Sequence, residues 1–181
     1  MLPKELENGF VIREVTQQEL STILRLNFDR IFKNRSNELF SSSIPDDINL
    51  KIKERANKDN RFRLRLVLFQ GQEVVGWHFG YAVDAETYYM QNSAILESFR
   101  GQGLYGRLLE TVLERISEEG FQVVTSSHHP NNAAVLIPKL KAGFIINSVQ
   151  FHEKFRFLVD LKYFFCPNRR KAFGKNIGLD L

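Results

Sequence analysis

Residues 99–106 read Phe99-Arg100-Gly101-Gln102-Gly103-Leu104-Tyr105-Gly106, and this stretch decides the fold. It follows a segment that suits a strand, Thr87–Ile95, and it opens an amphipathic helix that begins at Leu104 and stops at Gly120. Glycines let backbone N–H groups approach a ligand, and the helix directs its partial positive end to the same point. The order of strand, glycine-rich turn and helix therefore predicts a site for a phosphate or pyrophosphate.

Two classes of nucleotide fit this turn poorly. Gly101, Gly103 and Gly106 satisfy the spacing G-x-G-x-x-G, but a dinucleotide site also needs an acidic residue about twenty positions further on. Residues 121–127, FQVVTSS, contain none. A P-loop needs Lys and then Ser or Thr after its last glycine, and here Arg107 follows Gly106. Coenzyme A is the third candidate.

A second motif lies downstream in residues 131–144, NNAAVLIPKLKAGF. Residues 100–106 resemble the R/Q-x-x-G-x-G/A loop of the GNAT superfamily of acyl-CoA-dependent N-acetyltransferases. Residues 131–144 resemble the second motif of that family, a helix that is opened by asparagine and ends in K-x-G-F. The two motifs also stand in the family's order. The resemblance covers residues 74–160, and the first sixty residues match in layout only. It implies transfer of an acetyl group from acetyl-CoA to a primary amine of a small molecule or peptide, by direct attack in a ternary complex.

The resemblance also implies where the coenzyme binds. Ser93, Ala94 and Ile95, at the end of a central strand, are expected to contact the pantetheine and the acetyl group through backbone hydrogen bonds. Asn132 is expected to cap its helix and to reach the coenzyme. The pyrophosphate is expected to lie on the glycine loop, which comprises Arg100, Gly101, Gln102, Gly103, Leu104, Tyr105 and Gly106.

The residues of proton transfer are not assigned by a motif. The family often places a tyrosine seven residues after its asparagine, where the hydroxyl can protonate the departing thiolate, and here that position is Lys139. A thiol with an ordinary pKa near ~8.5 can leave without a dedicated acid, and Tyr105 or Tyr88 are open alternatives. His128 and His129 follow a strand near the expected site. They are the candidate general bases, because histidine titrates in the useful pH range.

Composition predicts a cytoplasmic protein without a membrane span. The chain is 43% hydrophobic and 25% charged, which is typical of a globular domain. It contains no run of about eighteen apolar residues, and its first residues, MLPKELENGF, lack the apolar region of a signal peptide. A lone cysteine, Cys166, fits a reducing compartment, and its spacing from the histidines suggests no metal site.

The net charge of +4 is mild, but basic residues cluster in residues 51–65 and again in residues 162–175. Solvated faces account for both clusters, and no nucleic-acid partner is expected. Two other hypotheses stay open: a non-catalytic acyl-CoA-binding or regulatory module, and an RNA-associated protein that uses the basic tail. The sequence carries no readable signal for the acceptor amine, the acyl-chain preference or the oligomeric state, including whether the chain forms a homodimer.

The pattern along the chain predicts a single α/β domain over residues 1–181. Its sheet is mixed, with an antiparallel meander followed by a β-α-β crossover and helices on both faces. The GNAT-like layout implied by the resemblance adds central strands that splay apart. Strands are predicted at residues 10–15, 61–70, 74–83, Thr87–Ile95, 121–127, 145–150 and 155–163. Helices are predicted to begin at the capping box Thr16/Glu19 and at Leu104, and to span residues 45–57 and 132–141. In the helix at residues 45–57, Ile48, Ile52 and Ala56 are predicted to face inward. Residues 34–43 are predicted as a loop.

Overall fold

A computed structural model describes residues 2–32 and 44–178, and they form one mixed sheet of eight strands in the order β1-β2-β3-β4-β5-β6-β8-β7. This confirms the predicted α/β class, the antiparallel meander and the parallel crossover. The strands are β1 (Lys4–Glu5), β2 (Phe10–Glu14), β3 (Arg63–Gln70), β4 (Glu73–Ala82), β5 (Thr87–Ile95), β6 (Val123–His128), β7 (Ile145–His152) and β8 (Arg156–Phe164). The α-helices are α1 (Gln17–Ile31), α2 (Asp46–Asn57), α3 (Leu104–Glu118), α4 (Ala133–Lys141) and α5 (Pro167–Asn176).

Helices cover both faces of the sheet because the side chains of its central strands alternate. Leu64, Leu66 and Leu68 of β3 belong to the larger core, which the apolar stripe of α3 completes. Val67 of β3 and Trp77 of β4 belong to a second core on the opposite face, against α1. The sheet is therefore buried from both sides at its centre.

The crossover strands β5 and β6 pair over a short distance only. Their parallel ladder runs from Thr87 opposite Val123 to Tyr89 opposite Thr125. Beyond that point β5 continues beside β4 as far as Ile95, and β6 continues beside β8 as far as His128. The two strands thus splay apart, as the resemblance implied. We call the opening between Met90–Ile95 and Ser126–His128 the fork.

A bulge lies where the fork begins. Phe79 of β4 faces Asn92 and Tyr81 faces Tyr89, so β5 carries one more residue than β4 at this point. Gly80 lies between them, and a Cβ there would clash with the Tyr88 hydroxyl and the Tyr89 carbonyl. Bulges bend a strand and increase its local twist. The bulge therefore turns β5 away from β6 at the residue where their pairing ends.

The prediction that α2 packs inward is wrong. Ile48 and Ile52 are 39% and 40% exposed, Ala56 is exposed, and no residue of the helix is buried. Helical spacing of apolar residues shows which face could be buried, but it does not supply a surface to bury it against. The loop predicted at residues 34–43 lies outside the described residues.

The predicted capping box at the start of α1 is confirmed and can be tested by removing it. The Thr16 hydroxyl accepts from the Glu19 N–H at 3.2 Å, and the Glu19 carboxylate accepts from the Thr16 N–H at 2.8 Å. We expect Thr16→Ala to lower the free energy of unfolding by about 1 kcal/mol, measured by urea denaturation. Thr22→Ala is the control, because that exposed hydroxyl only donates to a carbonyl within the helix. Equal effects of the two substitutions would contradict a stabilising cap.

Candidate active site

A cavity of about 1110 Å³ opens beside the fork. It brings together the end of β5, the glycine loop, the end of α1 and the first turns of α4. Among the residues predicted to hold a coenzyme, those that line the cavity are Ser93, Ala94, Ile95, Arg100, Gly101, Gly103, Leu104, Tyr105, Gly106 and Asn132. Gln102 does not line it. Of the two candidate bases, His129 lines the cavity and His128 does not.

The glycine loop presents its backbone to the cavity. Gly101 and Gly103 have φ of +79° and +74°, in the left-handed region that favours glycine. A Cβ at Gly101, Gly103 or Gly106 would meet no atom within 4 Å, so the space in front of the loop is open. The Arg100 side chain donates to the Ile95 carbonyl at 3.2 Å and ties the loop to the end of β5.

The charge around this loop suits an anion. The first turn of α3 carries no acidic residue, so the positive end of the helix dipole is not neutralised locally. Arg30, Arg100 and Lys141 line the cavity, against the single carboxylate of Glu97. Backbone N–H groups at a helix N-terminus, with cations nearby, form a phosphate site.

Asn132 occupies the N-cap position of α4, but its side chain makes no capping hydrogen bond, so that part of the prediction is wrong. Its ψ of 63° departs from the extended backbone that N-cap residues usually adopt. Asn132 instead forms part of the cavity wall. The helix behind it runs through Pro138 as far as Lys141.

His78 joins two residues of β5 inside the sheet. Its Nδ1 lies 2.8 Å from the Ser93 hydroxyl, and its Nε2 lies 2.9 Å from the Tyr88 hydroxyl. Burial lowers the pKa of His78 to about 3 and raises the pKa of Tyr88. Tyr88 is thus engaged in fixing His78, and His78 holds the Ser93 side chain at the cavity wall.

Tyr105 has a different environment. Its hydroxyl is buried and has no hydrogen-bond partner among the described residues. Burial raises the pKa of Tyr105, so the hydroxyl is a neutral donor. An unpaired buried hydroxyl costs about 1–3 kcal/mol, which an acceptor on a ligand in the cavity would offset.

His128 does not line the cavity. Its Nε2 lies 3.1 Å from the Ser126 hydroxyl. Burial, with a smaller effect from Lys139, lowers the pKa of His128 to about 3. A histidine with so low a pKa holds a proton poorly at neutral pH, so His128 by itself is a weak base.

Lys139, which the sequence analysis names only as the residue at the family's tyrosine position, is buried beside the fork. Only 1% of it is exposed, and its amine donates to the Ser126 hydroxyl at 2.7 Å and approaches the Met90 sulfur at 3.4 Å. The amine also lies 5.0 Å from the centre of the Phe144 ring. Burial lowers the pKa of Lys139 from 10.5 to about 7. Within residues 2–32 and 44–178 no carboxylate forms an ion pair with it.

Residues 28–144 match the acetyltransferase (GNAT) family. The chain belongs to this family. The family uses acetyl-CoA as its co-substrate, which confirms the choice of coenzyme A over a dinucleotide or a nucleoside triphosphate. No curated protein matches the chain in sequence.

Solved structures share the GNAT fold with this chain at low sequence identity. One is a GNAT family acetyltransferase from Elizabethkingia anophelis with acetyl-CoA bound, at 14% identity, a TM-score of 0.60, and coverage of 88% of this chain and 100% of the other. Another is the ribosomal-protein-S18-alanine N-acetyltransferase from Escherichia coli, at 15% identity, a TM-score of 0.61, and coverage of 84% of this chain and 92% of the other. A third is yncA, a putative acetyltransferase from Salmonella typhimurium with its cofactor acetyl-CoA, at 16% identity, a TM-score of 0.62, and coverage of 88% of this chain and 96% of the other.

Other predictions from the sequence can be placed on the same structure. In the described part of the chain, no helix combines the length and apolar character needed to cross a membrane. No group of three or more His, Cys, Asp or Glu residues there could hold a metal ion. Two arginines of the basic tail contact the domain itself: Arg169 pairs with Glu86, and Arg170 donates to the Gly143 carbonyl.

The buried amine of Lys139 predicts a pH-dependent stability. Its pKa is lower in the folded chain than in the unfolded chain, so between about pH 10.5 and 7 the unfolded chain binds the extra proton. Stability therefore falls as pH drops through this window, by at most about 1.4 kcal/mol per pH unit.

Lys139→Met removes this titration while filling a similar volume. We expect the variant to be more stable than the wild type at pH 7, and the difference to shrink as pH rises to 10.5. Urea denaturation across this range measures it, with the exposed Lys171→Met as the control. Parallel stability curves for wild type and Lys139→Met would contradict a buried amine with a lowered pKa.

Proposed function

We propose that this protein is an N-acetyltransferase that transfers the acetyl group of acetyl-CoA to a primary amine of a small molecule or peptide. The observation that carries the proposal is the fork, which opens onto a cavity walled by a glycine loop at a helix N-terminus. Two solved structures of the same fold contain acetyl-CoA, which supports the choice of donor.

The coenzyme would bind through backbone groups for most of its length. Its pyrophosphate would accept from N–H groups of residues 101–106, with Arg100 and Lys141 supplying positive charge. The amides of its pantetheine arm would pair with the open edge of β5 at Ser93, Ala94 and Ile95 in the manner of an added strand. The Tyr105 hydroxyl would gain the acceptor that the described residues do not supply.

The reaction is a direct transfer between two bound reactants. The nitrogen of the acceptor attacks the thioester carbon, an N–C bond forms, and the C–S bond breaks to release the CoA thiolate. A backbone N–H of the open β5 edge would stabilise the negative charge that develops on the thioester oxygen. The nitrogen must also lose a proton. His129 lines the cavity, which supports it as the group that would accept this proton directly or through water.

Two measurements test this function. Acetyl-CoA should raise the melting temperature, because a ligand that binds only the folded state stabilises it. A screen of amines, polyamines, aminoglycosides and peptides should then release free thiol with at least one acceptor class. A raised melting temperature without thiol release from any acceptor would favour the non-catalytic acyl-CoA-binding module. No shift in melting temperature would reject both.

Gly106 provides a specific test of the coenzyme site. It lies in the first turn of α3, faces open space in the cavity and does not have a positive φ. Gly106→Glu should therefore leave the helix intact, because Glu is a better helix former than Gly. The added carboxylate should weaken acetyl-CoA binding by about tenfold or more, about 1.4 kcal/mol, through bulk and repulsion of the phosphates.

Isothermal titration of acetyl-CoA measures the effect of this substitution. Ser117→Glu is the matched control, because it adds the same charge at an exposed position about three turns further along α3. Unchanged affinity in Gly106→Glu, or an equal loss in Ser117→Glu, would show that the loop does not hold the coenzyme.

A further inference from the structure

The amine of Lys139 lies at the vertex of the fork. The last parallel pair joins Tyr89 and Thr125, so the next residue along each strand is Met90 or Ser126. The amine contacts both of these side chains, at 3.4 Å from the Met90 sulfur and 2.7 Å from the Ser126 oxygen. One ionisable group thus lies where the two central strands part.

Burying an amine at this position costs free energy, and an apolar side chain could fill the same space without that cost. A buried ammonium loses its hydration, and the neighbours of Lys139 are a thioether, a hydroxyl and an aromatic ring rather than a carboxylate. Methionine or leucine would fill the same space without the charge. A titratable group kept in such a position beside a cavity is a candidate for a functional role.

A chain of hydrogen bonds leads from this amine to His128, the residue before His129. The Ser126 hydroxyl is bonded to the Lys139 amine at 2.7 Å and to His128 Nε2 at 3.1 Å. Nδ1 of His128 is the ring nitrogen that Ser126 does not engage. The following residue, His129, lines the cavity. A hydroxyl that can both donate and accept, placed between two bases, can move a proton from one to the other.

We propose that Lys139 is the final acceptor of the proton lost by the attacking amine, and that His128 and Ser126 carry the proton to it. This inference rests on the proposed acetyl transfer. Lys139 acts through its neighbours and does not touch the reacting atoms.

The relay conserves atoms and charge. As the N–C bond forms, His128 Nδ1 takes the proton of the acceptor nitrogen through His129 or water. His128 Nε2 passes its own proton to Ser126. The neutral Lys139 amine has a lone pair, so the Ser126 hydroxyl turns to donate to it and passes its proton to the amine. The thiolate leaves with the electron pair of the C–S bond and takes a proton from solvent, and Lys139 returns its proton to solvent before the next turnover.

The relative basicity of the two ends gives the relay its direction. The lowered pKa of His128, about 3, means that this ring passes a proton on rather than retaining it. The pKa of Lys139, about 7, is close to neutral pH, where a general base is most effective.

Burial is the cause of the lowered pKa of Lys139, and the other titratable groups of this region differ from it in charge or in the group they act on. His78 on β4 is buried near enough for the charge of Lys139 to lower its pKa, and it is neutral at pH 7. Tyr88 on β5 is neutral because burial raises its pKa. Asp160 on β8 acts on His128 and favours its charged form, against the larger effect of burial. In this surrounding the pKa of Lys139 is about 7.

Three proteins and a control test the relay. We compare wild type, Lys139→Met, Ser126→Ala and the exposed control Lys171→Met. The assay is thiol release from acetyl-CoA with the best primary amine of the acceptor screen. Rates are measured from about pH 5.5 to about pH 9, a range that spans the pKa of Lys139. The wild type and Lys171→Met should show kcat/KM rising with an apparent pKa near 7. Lys139→Met and Ser126→Ala should both lose about 100-fold in kcat/KM at high pH, and with it that inflection.

Ser126→Ala keeps the test decisive if Lys139→Met fails to fold, because it retains the amine and breaks only the link to His128. A wild-type rate and pH profile in either folded variant would overturn the relay. The melting-temperature shift with acetyl-CoA separates the two proposals. If wild type shows neither that shift nor thiol release, the proposed acetyl transfer fails and the relay with it. If wild type binds acetyl-CoA and releases thiol, and Ser126→Ala has the same kcat/KM and pH profile as wild type, the relay alone fails.

Discussion

After Tyr89, β5 no longer pairs with β6, and the site depends on this separation. A sheet normally satisfies the N–H and C=O groups of its central strands with neighbouring strands. Here the bulge opposite Gly80 bends β5 where the ladder ends, so its far edge faces a cavity. A ligand that carries amides can supply the missing partners. Such a ligand would therefore offset the cost of opening a central strand.

The same opening places ionisable groups in a poorly hydrated region. His78, His128 and Lys139 all have lowered pKa values, and burial is the first cause of each shift. Burial disfavours the charged form of any base, so an acceptor amine that enters the fork would be shifted toward its neutral, nucleophilic form. The electrostatics of the fork thus favour the deprotonation that the proposed acetylation of an amine requires.

The sequence predicted the parts of the fold that depend on local rules. The strand Thr87–Ile95 and the start of α3 at Leu104 were placed correctly because a strand-like run, a glycine turn and a strong apolar stripe follow one another. The capping box of Thr16 was readable because it needs only two residues at fixed spacing. The splay of β5 and β6 came from the family resemblance, since no local pattern shows where two distant strands stop pairing.

The remaining features depend on tertiary contacts that the sequence does not display. Ile48 and Ile52 have helical spacing, but α2 buries no residue. Lys139 lies between apolar residues of α4 and would be taken for a solvated lysine, yet the fork places its amine among Met90, Ser126 and Phe144. No rule of spacing predicts a buried lysine without a carboxylate, because its position results from the meeting of three separate elements.

A crystal structure of this chain with acetyl-CoA would test the central claim most directly. We expect the pantetheine arm to lie in the fork, hydrogen-bonded to the open edge of β5 at Ser93–Ile95, with the pyrophosphate on the backbone of residues 101–106. A coenzyme bound elsewhere, or strands β5 and β6 paired beyond Tyr89 and Thr125 with the fork closed, would contradict it.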